Sequence, residues 1–473
     1  MGCDLLFHEI LLVALLGLGV TLYGIWPRSR PAPDQGERKP ATQARQHSKD
    51  KPPFAGLTTK PHCEACEHAR EPAAPPPPPP PLVASRRGRP RELDIHTHYC
   101  PTKTCPYYGW TRRGNIRANG HPGGGPWRQL HCIVCETYFL ETHGTLFYGK
   151  THAAEGIVRV VAVLAEGLGR RAVARVFALD PNTVLAWSGE AAAQLKAFSR
   201  FLLREVQVRQ VQLDELFAVL SEERAGQGSD AEASAPFPGA PRWVWVALDP
   251  ESKLLLALDL GQRTLALAQR LVHHVVQLLA PGCVPLFLTD GFKEYTTALL
   301  THFGYWVQPL RRQAKGPDPK PRWLPRPELL YAQVVKHYRR RRLVCMRPRV
   351  VFGTLAQVLR VLAPRGWHIN TAFIERVNLT LRHHVAAVGR RVLTLCKQEA
   401  GLHDQLHLSH AYYNFCLPHI SLRRPLVHPQ PTKGSGSAKR WHPCTPAMAA
   451  SLTDHVWTVR EVLLFRVPPW PQS

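Results

Sequence analysis

Three acidic residues occupy positions where their carboxylates could hold catalytic metal ions. Asp214 follows an apolar, strand-like run at Val206–Leu213, and Asp290 follows a second such run at Leu286–Thr289. Glu375 stands at the start of a long amphipathic helix that is rich in arginine. Carboxylate oxygens suit Mg²⁺, and a pair of such ions can activate a nucleophile and stabilise the leaving oxygen when a phosphodiester is cut.

The elements around these acids have the order of a ribonuclease H-like fold. Three strand-like segments precede a helical segment at Thr264–Leu279, and a fourth strand and a further helix follow. In that fold the first and fourth strands lie side by side, so we expect Asp214 and Asp290 to meet. Asp249 and Asp259 also lie near strand ends, and they are the alternative acids for such a site.

The helix that contains Glu375 has two faces. Apolar residues repeat at intervals of three and four from Ile374 to Leu395, which predicts a buried stripe. Glu375, Asn378 and Arg382 follow the flank of that stripe at the same spacing. Glu375 can therefore face the two aspartates while the arginines, Arg376 among them, face DNA.

Two close pairs of cysteines predict a structural zinc site. A stretch of 26 residues with a glycine-rich segment at Gly120–Gly125 separates the pairs. Each pair would form a knuckle, and four thiolates would complete the tetrahedron that zinc prefers. The alternative is four buried free thiols, and His131 and His143 are expected to be bystanders. The predicted ligands are Cys100, Cys105, Cys132 and Cys135.

Residues 151–200 have the pattern of a helix-turn-helix. A first apolar stripe ends at Gly167, a short second helix follows, and Asp180 before a proline caps a third. The third helix would be the recognition helix, with Thr183 and Trp187 as the predicted DNA contacts. Helical hairpins are common in proteins, so this interpretation depends on the neighbouring zinc ribbon and on the charge of the chain.

The net charge predicts a polyanionic partner. Lys and Arg number 60 against 35 Asp and Glu, which gives a formal charge of +25. A surplus of this size favours nucleic acid or an anionic membrane surface as the partner. The basic segment 86–91 resembles an AT-hook, in which Arg87 and Arg89 would enter a narrow minor groove.

The N-terminal region has the composition of an anchor followed by a linker. The uncharged run Ile10–Trp26 is 17 residues long, at the short end for a membrane span. Basic residues follow it, which favours an uncleaved anchor with the remaining chain in the cytoplasm or nucleoid, tethered to the inner face of the membrane. The alternative is a start codon placed too far upstream, in which case the run is not made. Residues 31–93 are rich in proline and predict an extended linker.

Three sequence blocks carry a resemblance to a known family. Asp214-Glu215-Leu216, Thr289–Tyr295 and Ile374–Arg382 resemble the corresponding blocks of DDE transposases of the insertion-sequence-one family. The order of zinc ribbon, helix-turn-helix and catalytic domain is also similar, over roughly residues 94–425. The N-terminal run and two inserts, at Glu222–Pro241 and Arg311–Arg349, depart from the compact pattern of that family.

This resemblance implies DNA cleavage and strand transfer at the ends of the chain's own insertion sequence. It implies Mg²⁺ or Mn²⁺ held by the three acids, structural zinc, double-stranded DNA as partner, and a homo-oligomer acting on paired ends. Arg376, Asn378 and Arg382 would position the DNA backbone. The alternatives are a non-catalytic, zinc-dependent DNA-binding regulator and a membrane-anchored scaffold that tethers DNA. The expected domains are an anchor at 1–30, a linker at 31–93, a zinc ribbon at 94–150, a helix-turn-helix at 151–200, a catalytic domain at 206–425 and a C-terminal tail at 426–473.

Overall fold

The computed structural model describes most of the chain from residue 94 onward. The predicted membrane anchor and the AT-hook-like arginines Arg87 and Arg89 lie outside the described residues. No helix in the described ranges is long and apolar enough to cross a membrane. All described residues belong to the unit Ala74–Ser473. The described ranges are 76–81, 94–220, 240–309, 319–340, 342–389, 396–432 and 436–470.

A small antiparallel sheet holds the cysteine region. Its three strands are β1 (Ile116–Ala118), β2 (Gln129–Cys132) and β3 (Tyr138–Leu140), in the order β1-β2-β3. Leu130 and Phe139 pack with the cysteines into a small core of their own. Because so few apolar residues are buried here, a metal is the expected source of much of the stability of this sheet.

Three helices follow at the places where the sequence predicts them. They are α1 (Ala154–Ala165), α2 (Arg170–Val176) and α3 (Pro181–Leu202). The carboxylate of Asp180 accepts a hydrogen bond of 2.8 Å from the backbone N–H of Asn182, which caps α3 as its sequence predicts. With 22 residues, α3 is long for a recognition helix, and its buried face joins the main hydrophobic core.

The central sheet has six strands in the order β11-β10-β7-β4-β5-β6. The first three strands in the chain, β4, β5 and β6, are antiparallel neighbours, whereas β7 lies parallel to β4 and β10 lies parallel to β7. Strands β8 and β9 form a separate pair. The strands are β4 (Gln210–Leu220), β5 (Ala240–Leu248), β6 (Leu255–Gly261), β7 (Leu286–Thr289), β8 (Gly304–Val307), β9 (Arg322–Pro325), β10 (Tyr331–Arg339) and β11 (Arg342–Phe352).

The register of β4 and β7 brings the two predicted aspartates together. Leu213 lies opposite Thr289 in this parallel pair, so Asp214, within β4, lies beside Asp290, the residue that follows the end of β7. All four residues of β7 are buried, as expected for a parallel strand that is covered on both faces. The predicted adjacency of the first and fourth strands is therefore present.

Helices cover both faces of the sheet. Leu213, Trp245 and Phe287 belong to the main core on one face. Leu216 and Val246, on the other face, belong to a second core that contains the apolar stripe of the Glu375 helix. The helices are α4 (Leu265–Leu278), α5 (Glu294–Phe303), α6 (Leu355–Leu362), α7 (Ala372–His384) and α8 (Glu399–Ala411), and a π-helix (Tyr412–Cys416) follows the last of them.

The predicted C-terminal tail contains regular structure and closes against the N-terminal modules. The Gln194 side chain on α3 donates a 2.6 Å hydrogen bond to the carbonyl of Phe465. Arg466 is buried and donates to the carbonyl of Tyr99, and Trp470 packs edge-on against Tyr108. The elements are β12 (Arg424–Gln430), β13 (Lys439–His442), α9 (Pro446–Ala449) and α10 (Val459–Leu464).

Candidate catalytic and metal sites

Three carboxylates converge where β7 ends beside the middle of β4. Single oxygens of Asp214, Glu215 and Asp290 all lie within 4.8 Å of one another. Sequence reasoning identified Asp214 and Asp290 but did not select Glu215 as a ligand. The available signal was the acidic pair itself. Adjacent residues of a strand normally point to opposite faces, but β7 ends opposite Leu213, so this edge of β4 is open and both carboxylates come near Asp290.

Hydrogen bonds orient the two aspartates. The backbone N–H of Glu215 donates to Oδ1 of Asp214 at 2.9 Å, and Nδ2 of Asn378 donates to its Oδ2 at 2.8 Å. The backbone N–H of Phe292 donates to Oδ1 of Asp290 at 2.9 Å. Oε1 of Glu215 and Oδ1 of Asn378 are buried and make no hydrogen bond of regular geometry among the described residues, although the Tyr295 hydroxyl lies near enough to Glu215 to lower its pKa. Orphaned oxygens beside clustered carboxylates fit a cation, because buried acceptors need a partner.

Burial and mutual repulsion raise the pKa values of Asp214 and Glu215. Desolvation, followed by the charge of Asp290, raises the pKa of Asp214 to about 6. Desolvation is also the largest cause that raises the pKa of Glu215 to about 7, and Asp290 adds to it. Buried, crowded carboxyls resist ionisation unless a positive charge lies beside them, so a divalent cation would favour their ionised form.

Arg263 supplies one positive charge at this site, and the sequence offered no signal for it. Its guanidinium Nη2 lies 3.0 Å from Oε2 of Glu215 and 3.9 Å from Oδ2 of Asp290. The same guanidinium stacks over the rings of Phe292 and Trp243, with distances of 4.1 Å and 5.2 Å to their centroids. These contacts hold the arginine at the rim of the cluster.

Glu375 lies beside the cluster but is not among the converged carboxylates. Its Oε1 forms an ion pair with the ammonium of Lys336 on β10 and accepts a hydrogen bond of 3.2 Å from Thr371. Its charge nevertheless contributes to the raised pKa of Asp214, so the two groups are near each other. The sequence predicts Glu375 as the third metal ligand. In the structure Glu375 is paired with Lys336, and Glu215 lies with the two aspartates instead.

A buried glutamine fixes the helix that bears Glu375. The Gln212 side chain is fully buried and spans from β4 to the start of α7. Its Oε1 accepts from the backbone N–H of Ile374 at 3.0 Å, and its Nε2 donates to the carbonyl of Asn370 at 3.0 Å. Two backbone groups at the start of the helix are satisfied in this way, which aligns α7 with the strand that contains Asp214.

The two alternative acids have structural partners of their own. Asp249 is buried and accepts from the backbone N–H groups of Glu251 at 3.1 Å and Ser252 at 3.0 Å, which closes the β5–β6 turn. Asp259 forms a two-point ion pair with Arg270, with distances of 2.5 Å and 2.6 Å. Neither belongs to the carboxylate cluster.

The four predicted cysteines form a second candidate metal centre. Their sulfur atoms all lie within 4.8 Å of one another; Cys100 and Cys135 are 3.5 Å apart, and Cys105 and Cys132 are 4.0 Å apart. Zinc–sulfur bonds of ~2.3 Å in a tetrahedron place the sulfurs ~3.8 Å apart, so the group fits zinc. The Asn115 side chain donates to Sγ of Cys132 at 3.4 Å, a contact that would orient a bound thiolate.

The environment of the thiols differs between the two knuckles. Desolvation raises the pKa of Cys105 to about 11. Burial acts in the same direction on Cys135, but hydrogen bonds from Thr137 outweigh it and lower the pKa of Cys135 to about 6. The neighbouring histidines are outside the group; the ring of His131 stacks on Tyr138 at 4.2 Å.

The predicted contacts on the third helix need one correction. Trp187 is only 4% exposed and packs in the main core, so its indole is not available to DNA in this arrangement. The sequence spacing placed it on the recognition helix, but the same spacing also suits the inward face. Thr183 is half-buried near the start of α3, where the chain turns.

The three predicted DNA-contacting residues of α7 have different surroundings. Arg376 is exposed. Arg382 is half-buried and donates to the carbonyl of Val388 at 3.3 Å. Asn378 is directed at Asp214 and acts within the carboxylate site.

Comparisons with solved structures find transposase complexes as partial likenesses. The Mos1 transposase paired-end complex with left transposon end is 15% identical with a TM-score of 0.15, covering 33% of this chain and 58% of that chain. The Mos1 strand transfer complex is 15% identical with a TM-score of 0.14, covering 32% and 55%. The Mos1 mariner paired end complex with Mn is 15% identical with a TM-score of 0.13, covering 33% and 59%.

The chain thus spans less than two thirds of the length of these transposase chains. No protein-family model and no curated protein matches it. Because TM-scores this low do not establish a common fold, the function has to be argued from the geometry of the site.

Proposed function

We propose that this protein is a DDE-type transposase that cuts and joins DNA at the ends of its own insertion sequence by metal-dependent phosphoryl transfer. The observation that carries the proposal is the convergence of Asp214 and Glu215, on β4, with Asp290, which follows the parallel strand β7. Crowded carboxylates, two of them with raised pKa values, are typical of functional sites.

The strand order supports a ribonuclease H-like fold for the catalytic region. Three antiparallel strands, a helix, a parallel fourth strand, a helix and a parallel fifth strand occur in that order along the chain. In such a sheet the end of the fourth strand lies beside the first strand, and the acids of the proposal are located there. Helix α7 then adds a further acid, Glu375, from the second face.

Mg²⁺ or Mn²⁺ is the metal that the acids would hold. Asp214, Glu215 and Asp290 offer the converged oxygens, and Glu375 stands beside them as the fourth acid. When bound, the ions would activate the attacking oxygen and stabilise the leaving oxygen. Among the residues of the chain, Asn378 and Arg263 orient and partly neutralise the carboxylates before any metal binds.

Double-stranded DNA is the proposed partner, bound as a homo-oligomer on paired element ends. The net charge of +25 and the exposed Arg376 on α7 suit a polyanion. The cysteine centre, with structural zinc, and the helices α1–α3 would recognise the ends. We expect this recognition to depend on zinc.

Cleavage of DNA that spans the ends of its own locus tests the proposal. The full chain with Mg²⁺ should nick this DNA at defined positions, and omission of Mg²⁺, rather than a chelator that would also remove zinc, should abolish the nicks. Asp290→Asn should bind the same DNA without cutting it. The matched control is Asp454→Asn, because Asp454 is exposed and distant in sequence, and it should cut normally.

A zinc-dependent DNA-binding regulator is the second candidate. The observation that favours it is the Lys336–Glu375 ion pair, since an ammonium group occupies the carboxylate that would be the third ligand of a DDE site. Sequence-specific binding by zinc-loaded protein, without Mg²⁺-dependent nicks, would support this function. Nicks that persist in Asp290→Asn would contradict the assignment of the acids.

A further inference from the structure

The hairpin of β10 and β11 carries a dense positive charge. Residues 334–350 contain one lysine, Lys336, and six arginines, and they contain neither Asp nor Glu. Such a charge is too costly to leave unpaired unless solvent or a polyanion shares it, so this segment is the strongest electrostatic feature of the described catalytic region.

The hairpin continues past the end of β7 on the side where the carboxylates lie. Strand β10 pairs with β7 from Tyr331 to Gln333, and Gln333 lies opposite Thr289, the residue before Asp290. From there to Arg339 the partner of β10 is β11. Six residues of strand rise about 20 Å, so a two-stranded ribbon continues beyond Asp290, as β4 does on the other side of β7. We call residues 334–340 and 342–350 the ribbon.

The basic side chains of the ribbon face solvent. Arg339, Arg342 and Arg347 are exposed. Two apolar residues of β11 are exposed as well, with Val344 at 63% and Met346 at 57%. Exposed arginines beside exposed apolar side chains suit a DNA groove, where guanidinium groups contact phosphates or guanine edges and apolar groups contact thymine methyls.

We propose that the ribbon is the docking element for duplex DNA next to the catalytic site. This inference rests on the proposed function. A two-stranded ribbon has the width that a major groove of about 12 Å admits. Its position suits DNA under the proposed function, because the Lys336–Glu375 ion pair places the ribbon beside the acids. A duplex held there lies next to the groups that would cut it.

Salt-dependent binding of a 30-base-pair duplex, chosen as roughly three helical turns, tests the docking role. The full chain carrying Asp290→Asn, without divalent metal, is titrated by fluorescence anisotropy at several salt concentrations. Arg339→Gln, Arg342→Gln and Arg347→Gln together should weaken binding at least ~10-fold and reduce the slope of log affinity against log salt by about 3, one for each lost phosphate contact.

The matched control removes three charges from the other exposed hairpin. Arg424→Gln, Lys439→Gln and Arg440→Gln lower the net charge equally on β12–β13, and this variant should retain the slope of the parent protein. Bound zinc and the thermal melting temperature should match the parent in both variants, which shows that both are folded. Equal slopes for the ribbon variant and its parent, or equal losses in both variants, would overturn the proposal.

Vesicles provide the competing arm of the experiment. Vesicles of phosphatidylcholine with roughly a quarter phosphatidylserine present an anionic surface without grooves. Such a membrane surface is the alternative to DNA that a basic ribbon with exposed apolar side chains could bind. Stronger ribbon-dependent binding to these vesicles than to the duplex would overturn the docking role. No step of this experiment requires cleavage. A protein that binds DNA through the ribbon but never cuts it would therefore contradict the proposed function and leave this inference standing.

Discussion

The cysteine centre and the carboxylate centre differ in how far apart their residues lie in the chain. All four cysteines fall within residues 100–135, and local turns set their positions; the backbone N–H of Gly109, for example, donates to the carbonyl of Cys100. The acids range from Asp214 to Glu375, and paired strands and a packed helix bring them together. A short-range centre can be recognised from spacing, whereas a long-range centre depends on register.

The two centres also differ in what they lack when no metal is bound. The thiols can share hydrogen bonds with one another and with Thr137. Burial, with repulsion between the carboxylates as a further cause, raises the pKa values of Asp214 and Glu215. Loss of zinc should therefore disorganise a small sheet with little core, while loss of Mg²⁺ should leave a well-packed sheet with an electrostatic cost.

The largest expected effect comes from removing one thiol of the cysteine centre. Cys132→Ser should lower the bound zinc from about one ion per chain to near zero and unfold the small sheet, because structural zinc supplies roughly 10 kcal/mol in small domains. Metal analysis and thermal melting measure both effects. Cys283→Ser is the control, since its half-buried thiol hydrogen-bonds to the carbonyl of Val208. Full zinc occupancy in Cys132→Ser would contradict a four-cysteine site.

The second effect is a pH dependence of opposite sign in the two centres. The raised carboxyl pKa values mean that the folded state binds more protons than the unfolded state between about pH 4 and pH 7. The free energy of unfolding should fall as pH rises through this window, by at most ~3 kcal/mol for each acid. Acid instead weakens the zinc centre, because protons compete for the thiolates.

Urea unfolding from pH 5.5 to pH 8, roughly the range in which zinc stays bound, measures the carboxylate effect. Mg²⁺ should restore stability at the alkaline end. Glu215→Gln should flatten the profile, and the exposed control Glu328→Gln should leave it unchanged. An identical profile for Glu215→Gln and the parent protein would show that this acid is not strained by burial.

The third effect concerns the link between β4 and α7. Gln212→Leu should lower the free energy of unfolding by about 1–3 kcal/mol, because the amide of Ile374 and the carbonyl of Asn370 lose their buried partner. Urea unfolding measures the change, and exposed Gln277→Leu on α4 is the control. Equal stability of the two variants would mean that other groups satisfy the start of α7.

The smallest effect distinguishes the acids within the carboxylate centre. In the DNA-free protein, Glu215→Gln should weaken Mn²⁺ binding about tenfold, or ~1.4 kcal/mol. Glu375→Gln should weaken it less, because Glu375 is paired with Lys336. Isothermal titration calorimetry of both variants measures the difference. A greater loss in Glu375→Gln would identify Glu375 as the third ligand and would mean that metal displaces Lys336.

Residues with strong local signals were predicted well. The cysteine spacing, the cap at Asp180 and the order of strands and helices all correspond to structure at the expected places. Trp187 was assigned to DNA because one helix face cannot be told from the other when both neighbouring modules are unknown. In the structure the indole of Trp187 faces a core that α3 shares with the catalytic region.

The sequence by itself determined the composition of both centres: four thiols in two knuckles, and acids that follow buried strands. Only the tertiary structure decided that Glu215 joins the aspartates while Glu375 pairs with Lys336. The physical reason is that a side chain's partners depend on strand register and helix docking, which are set by packing over more than a hundred residues. The spacing of residues along the chain carries no information about a lysine that arrives from another strand.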